Sequence, residues 1–350
     1  MLQDLETPAT SAAVLPNVAT IAKSASVTPI GVDIGNGALK LVSNQGEIRI
    51  DSYVHYLSER ASMAVNSGYV EYHNGDRADL VSKQWIGGIN AYYFDPKGMY
   101  RVTDTATGKA DLGLQILLAG LSILPYRAEW NLHLVCSVHD GETLGGKLKA
   151  ALQGTHQVLI QGKRSTVAIT VAAVLEEGTG AIIHYQKSCD PTNALVYDLG
   201  NGTLIVSGFN GLKMTDRRYS QNGGVESLID AVARNPIVRD KLIKEGDRHL
   251  IRTGIESGRF IYGTQHPDWN FKDAYKAELP LWVDRVLKPM VRPTEDRMAS
   301  ATALIAIGGG ACLPGIDLLL AKRNIRVLAD PLWANGRGLF AYAVRKAAAL

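Results

Sequence analysis

Two short segments of this 350-residue chain share a pattern that few folds accommodate twice. Asp33-Ile34-Gly35-Asn36-Gly37-Ala38-Leu39 and Asp198-Leu199-Gly200-Asn201-Gly202-Thr203-Leu204 agree at five of seven positions. Each copy ends an apolar strand, places an Asp at the strand tip, turns through two glycines and enters a second strand. The surroundings repeat as well. "IGVDIG", "ALKLVS" and, after Asn44-Gln45-Gly46, "GEIRI" read as strand, turn, strand, turn, strand. From Asn193, "NALVYDLGNGTLIVSGFNGLKM" reads the same way. Two halves that each open on a β-meander and close on helices predict a duplicated α/β domain.

Composition supports a globular chain of about two domains, with 46% hydrophobic and 20% charged residues. That balance excludes a disordered chain, a collagen, a coiled-coil rod and a disulfide mini-protein. Apolar runs such as Leu195 to Tyr197 and Ala301 to Ile307 are too short to span a bilayer, so no membrane association is expected. Residues 1–28 lack the pattern of a signal peptide. Cys136, Cys189 and Cys312 read as buried thiols in a reducing compartment, which points to the cytoplasm. A net charge of +3 is too mild to mark direct nucleic-acid binding.

Along the chain, residues 1–28 read as a loosely ordered tail. Residues 29–192 form a first domain, with a polar, Tyr-rich inserted subdomain or lid at about 51–94. Residues 193–350 form a second, with a charged, amphipathic subdomain at about 246–300. Helices are expected over Asp111 to Leu124, Val225 to Asn235 and "ELPLWVDRVLKPMV", with a last helix from Gly338. The tyrosines between Tyr53 and Tyr93 read as packing of the small subdomain. Arg217, Arg218 and Arg234 read as a solvated face. His133, His139, His184 and His266 show no metal-ligand spacing.

The chemistry concentrates at the glycine turns. Glycine between strands turns the backbone sharply and lets N–H groups approach an anion with no Cβ in the way. An ionised Asp only accepts hydrogen bonds, so beside phosphates it needs a cation between. Mg²⁺ keeps several waters and suits two Asp side chains reaching it from opposite hairpins, here Asp33 and Asp198. Lys40, seven residues beyond Asp33, can reach back over the turn as a point charge on a phosphate. A third element is Ile305-Ala306-Ile307-Gly308-Gly309-Gly310-Ala311, an apolar strand running into three glycines and then a helix, whose start presents N–H groups to a ligand.

The ordered set of two Asp-bearing hairpins and a late glycine turn resembles the actin, Hsp70 and sugar-kinase superfamily. The resemblance covers roughly residues 30–345. It implies an actin-like ATPase fold in which two duplicated ribonuclease-H-like domains flank a nucleotide cleft. The implied nucleotide contacts are Gly35, Asn36, Gly37, Ala38, Leu39 and Lys40, then Gly200, Asn201, Gly202 and Thr203, then Gly308, Gly309 and Gly310. Within the superfamily the details are similar to the plasmid-segregation actins of the ParM/StbA type. "VLEEGTGA" (Val174 to Ala181) matches the loop before that family's second hairpin. It places the water-polarising Glu at Glu177, with Glu176 beside it as the alternative. "SQNGGVESLIDAV" (Ser220 to Val232) resembles the glycine turn before a helix of the second domain, adding Gly223 and Gly224. "LADPLWANGRGLFAYA" resembles the family's P-x-F-A-N-x-x-G ending, with Trp333 in the aromatic place.

The resemblance implies that ATP or GTP, with Mg²⁺ held through water by Asp33 and Asp198, is hydrolysed with Glu177, Asp198 and Asp33 as the catalytic set. It implies head-to-tail filaments that segregate plasmid DNA through a DNA-binding adaptor protein. Two further readings fit the same residues: a structural actin-like filament with no DNA link, and a non-polymerising ATP-dependent enzyme or switch.

Overall fold

The computed structural model describes residues 27–62, 67–189, 191–221 and 223–349. The tail expected over 1–28 lies outside them except for Val27 and Thr28. The first meander is β1 (Thr28–Ile34), β2 (Ala38–Ser43) and β3 (Gly46–Asp51). It joins β4 (Tyr53–Leu57), β5 (Tyr69–Gly75), β6 (Gln84–Gly87), β7 (Tyr100–Arg101), β8 (Glu129–Val138), β9 (Gly154–Ile160) and β10 (Lys163–Glu176) in a ten-stranded sheet. Its order is β3-β2-β1-β8-β10-β9-β5-β6-β4-β7, with β1, β8 and β10 parallel. The Tyr-rich insertion continues this sheet, because β5 pairs with β9. Tyr53, Tyr69 and Tyr72 are buried there, whereas Tyr93 and Phe94 are exposed.

The second meander is β11 (Ala194–Leu199), β12 (Thr203–Asn210) and β13 (Lys213–Gln221). After a small hairpin of β14 (Ile261–Tyr262) and β15 (His266–Asn270), the parallel strands β16 (Ala303–Ile307) and β17 (Arg326–Val327) complete a five-stranded sheet ordered β13-β12-β11-β16-β17. The stretch β3-β2-β1-β8-β10 of the first sheet has the same order and directions. The motif repeat is therefore a repeat of topology.

The helices of the first half are α1 (Ile89–Phe94), α2 (Gly108–Leu121), α3 (Gly141–Leu152) and α4 (Thr179–Tyr185). Those of the second are α5 (Val225–Arg234), α6 (Pro236–Leu242), α7 (Arg248–Glu256), α8 (Lys272–Trp282), α9 (Lys288–Val291), α10 (Glu295–Met298), α11 (Ile316–Ala321) and α12 (Ala334–Ala347). Three differ from the sequence expectation. α2 starts ahead of Asp111, because the hydroxyls of Thr105 and Thr107 donate to the Asp111 carboxylate and close the first turn. The helix expected to start at Glu278 begins at Lys272 and passes through a wide π turn at Val283–Leu287 into α9. α12 begins at Ala334, ahead of the expected Gly338. The cysteine reading also needs correction: only Cys136 is buried, while Cys189 and Cys312 are exposed on loops and turns.

Strand alternation decides what reaches the middle of the molecule. Ile30, Val32 and Ile34 of β1 face one way, into a core shared with Leu114, Leu117 and Leu118 of α2. Each such fully buried aliphatic side chain contributes roughly 1.5–3 kcal/mol. Gly31 and Asp33 face the other way, against α12. In the second half, Leu195, Tyr197 and Leu199 of β11 enter the core beneath α5 and α8. Val196 packs with Ala181 and Ile182 of α4, and Asp198 shares that face by period two. Both strand-tip carboxylates thus lie on the sheet faces that α12 and α4 cover.

Candidate active site in the cleft between the sheets

The two hairpin tips meet across a cleft of about 1000 Å³, its open mouth included. None of Gly35, Gly37, Gly200 and Gly202 has a positive φ. What glycine supplies at the tips is space. A Cβ at Gly35 or Gly200 would lie 2.7 Å from the carbonyl oxygen of Ala38 or Thr203. Across the cleft, a Cβ at Gly202 would lie 2.3 Å from Asn36 Nδ2, and one at Gly37 would lie 3.1 Å from the Asn201 Cβ. Each asparagine therefore rests on the second glycine of the opposite hairpin.

Asp33 and Lys40 are direct partners in the β1–β2 ladder. That register explains why Lys40 Nζ donates to Asp33 Oδ2 at 3.0 Å, where the sequence suggested a free cation over the turn. Asn335 Nδ2 donates to Asp33 Oδ1 at 3.1 Å and to Ser137 Oγ at 2.9 Å. Burial alone would raise the Asp33 carboxyl, but Lys40, Lys109 and the Asn335 bond hold it below the usual range. Asp198 behaves oppositely. Burial, reinforced by the charges of Glu177 and Asp33, pushes its carboxyl up to about 7. Two carboxylates of the same site are thus driven apart by their surroundings.

Glu177 follows directly on β10. Its N–H donates to the Val138 carbonyl at the end of β8 at 3.0 Å, and Gly178 then turns into α4 with φ +88. The Glu177 carboxylate lines the cleft and pairs with the buried ammonium of Lys109 on α2. Glu176 does not line the cleft; it accepts from Gly141 N–H at 2.9 Å and pairs with Arg217.

The third glycine element closes the floor. Gly308, with φ +85, ends β16 where a Cβ would lie 2.5 Å from Asp198 Oδ1. The helix expected from about Pro314 follows as α11, which begins at Ile316, and a 3-10 turn at Gly309–Cys312 separates it from the glycines' strand.

Of the residues singled out from the sequence, the cleft brings together Asp33, Gly35 to Ala38, Lys40, Glu177, Asp198, Gly200 to Thr203 and Gly308 to Gly310. Leu39 is fully buried in the core. Gly223 and Gly224 stand apart from the cleft, and Gly224 seats α5 beneath the second hairpin. There the N–H groups of Val225 and Glu226 are taken by the Gly200 and Asn201 carbonyls.

Sequence reasoning missed Lys109, Asn335, Arg252 and the Arg49–Glu256 pair. Arg252 donates to the Gly37 carbonyl at 3.3 Å, pairs with Asp51, and so ties α7 to the first hairpin. The only local signal for Asn335 was its place in "LWANGRG". Lys109 fell just ahead of the helix expected from Asp111, and no motif marked it.

The donor set fits Mg²⁺. Asp33 and Asp198 would offer hard oxygen acceptors to its waters, and a divalent cation would offset the burial and the Glu177 and Asp33 charges that raise the Asp198 carboxyl.

Comparison with known proteins bears on the fold. A family model described as "Actin like proteins N terminal domain" matches residues 31–180. No curated protein matches the chain. Among solved structures, the Bacillus thuringiensis ParM with AMPPNP is 16% identical, with a TM-score of 0.68, covering 92% of this chain and 99% of that one. A 15-stranded ParM filament from Clostridium botulinum is 13% identical over 91% and 99% of the two chains, with a TM-score of 0.68. The archaeal actin homologue Ta0583, in complex with ADP, is 18% identical over 91% and 99%, with a TM-score of 0.69. The family-model match over residues 31–180 and these likenesses over more than nine-tenths of the chain show that its fold is actin-like.

Proposed function

We propose that the chain is an actin-like ATPase that assembles head to tail into nucleotide-dependent filaments and segregates plasmid DNA through a DNA-binding adaptor. The observation that carries the enzymatic part is the convergence of Asp33, Asp198 and Glu177 with Lys40 and Lys109 at the hairpin end of the cleft.

The triphosphate is the substrate. Its phosphates lie between the two hairpin tips, where Lys40 offsets their charge. Held through water by Asp33 and Asp198, Mg²⁺ would supply charge neutralisation as the terminal phosphate departs. Glu177 orients a water and accepts its proton. The water oxygen bonds to the terminal phosphorus as the bond to the bridging oxygen breaks, leaving the electron pair on ADP. Asn335 and Lys40 hold Asp33 ionised. The Arg252 bridge and the Asn36 and Asn201 contacts make cleft closure sensitive to what lies between the tips. Closure would set the relation between the lobes that a repeating, non-closing contact needs.

The filament and its plasmid cargo rest on likeness to the ParM structures. A second reading, a filament with no DNA cargo, has one specific observation in its favour: the archaeal actin homologue matches as well as they do. Among the described residues no helix is long and apolar enough to cross a membrane. The cytoplasm is the location that three unpaired cysteines at wide spacing support.

Light scattering and sedimentation with Mg-ATP, Mg-ADP and no nucleotide test the proposal. Assembly with ATP, disassembly as phosphate appears and persistent filaments in Glu177→Ala are expected. Steady turnover without assembly would leave an enzyme or switch. Co-sedimentation of plasmid DNA with an adaptor encoded beside the gene separates the two cargo readings.

A further inference from the structure

Lys109 is a cation where a helix least favours one. It is the second residue of α2, in the turn where the helix dipole repels positive charge. Its side chain is buried, which is costly for an ammonium unless it is paired. Gly108 presses the helix start against the preceding turn, since a Cβ there would lie 2.0 Å from the Val102 carbonyl oxygen. That seating delivers Lys109 into the cleft, where the Glu177 carboxylate is its partner and Asp33 and Asp198 lie near enough to act on its charge. Lys109 also stands where two cavities meet, the main cleft and a second one bounded by His139, Thr203, Glu226 and Arg248.

In this arrangement Glu177 Oε1 is taken up by the ammonium. A carboxylate so engaged is a poor acceptor for a proton from water. A terminal phosphate brings more negative charge than one carboxylate and competes for the same ammonium. A flexible stem with three donors can change partners without leaving its own charge unpaired.

We propose that Lys109 couples the arrival of a terminal phosphate to the release of Glu177. With the cleft free of nucleotide, Lys109 neutralises Glu177. With a triphosphate present, the ammonium moves its contact to a terminal-phosphate oxygen and frees the carboxylate to take the water proton. Lys109 keeps all its protons throughout; the bonds made and broken are those of the hydrolysis above. A diphosphate offers no oxygen at that place, so the Lys109–Glu177 pair re-forms after the reaction. Lys109 is thus a positioning residue for Glu177 and a sensor of the terminal phosphate. The inference rests on the cleft being an ATP-hydrolysing site.

The test is nucleotide discrimination in Lys109→Met. Calorimetric titration should show about tenfold weaker binding of a non-hydrolysable ATP analogue with ADP binding within about twofold of the parent, as expected for loss of a charge-assisted phosphate contact. kcat should fall on the order of 100-fold, and Lys109→Arg should restore the preference for the analogue. Equal weakening for both nucleotides, or a kcat within about twofold of the parent, overturns the proposal. Should Lys109→Met fail to fold, lysine side-chain nitrogen NMR of the unmodified protein decides, with Lys109→Arg giving the assignment. The Lys109 resonance should move with the analogue and return with ADP; one position in all three states overturns the coupling. A parent protein that binds both nucleotides without hydrolysing either removes the hydrolysis reading, and the two affinities still decide what Lys109 senses.

Discussion

The carbonyl oxygen of Gly180 on α4 lies 1.6 Å from where a Cβ on Gly338 of α12 would stand. The two helices that cover the Asp198 and Asp33 faces thus cross with backbone against backbone. The neighbour that blocks a side chain is main chain, which cannot rotate aside. Gly338→Ala is expected to destabilise the fold by about 3 kcal/mol or pry the lobes apart, because overpacking against backbone forces a shift of whole elements. Thermal unfolding checks the first outcome and small-angle scattering the second. Gly146, an exposed helical glycine with nothing within 4 Å of its Cβ position, is the control: Gly146→Ala should stabilise by about 0.5–1 kcal/mol.

The raised Asp198 carboxyl gives the nucleotide-free protein a defined pH dependence. Its folded-state value of about 7 lies above the ordinary 3.8. The native state therefore binds this proton more tightly, and stability is lost as pH rises from about 4 through about 7. Asp198→Asn removes the cost of the buried charge. Free of nucleotide, that variant should be more stable than the parent at about pH 8, by on the order of a few kcal/mol, while losing hydrolysis. Denaturant melts across pH are the check. The same logic predicts proton release when Mg-nucleotide binds at about pH 6, visible as a buffer-dependent calorimetric heat that Asp198→Asn abolishes.

What the sequence made legible was local. Gly-x-Gly between apolar runs announced both hairpins, and Lys40 was legible as a cation near the first turn, though not as the ladder partner of Asp33. What it hid came from afar. Asn335 reaches Asp33 across 302 residues, because α12, the last helix, packs back on β1. The start of α12 was misjudged for a related reason. Glycine costs a helix interior about 1 kcal/mol, yet inside α12 Gly336 and Gly338 admit the close approach of neighbouring strand and helix atoms. Lys109 and Arg252 carry no motif; only the cleft gives their charges a purpose. At the hairpins the glycines were legible for the property they use, the absence of a Cβ, since none of the four has a left-handed φ and a Cβ on each would meet a neighbour.

Glu176 and Glu177 should separate cleanly by mutation. Glu177→Gln keeps the shape of the cleft and removes the proton acceptor, so hydrolysis should fall roughly 100- to 1000-fold with nucleotide affinity retained. Glu176→Gln removes half of the Arg217 pair and weakens the bond to the Gly141 N–H. That change should cost stability and leave hydrolysis within about tenfold. Phosphate release under single-turnover conditions, beside calorimetric nucleotide binding, reads both.

The ion pairs that tie α7 to the first lobe should differ in worth according to burial. Arg252 has only 10% of its side chain exposed. It joins Asp51, the Gly37 carbonyl and the face of Tyr53, whose ring centroid lies 5.7 Å away. Removing it strands a part-buried carboxylate and a carbonyl of the first hairpin tip. Arg252→Ala should therefore cost about 3 kcal/mol and loosen the cleft. The Arg49–Glu256 pair, at 2.9 Å, has side chains 33% and 45% exposed. Water already screens those charges, so Arg49→Ala should cost less than about 1 kcal/mol. Denaturant unfolding at low and high salt checks both. The Arg49 effect should shrink with salt, and the Arg252 effect should persist, because screening by dissolved ions reaches the exposed pair and not the buried one.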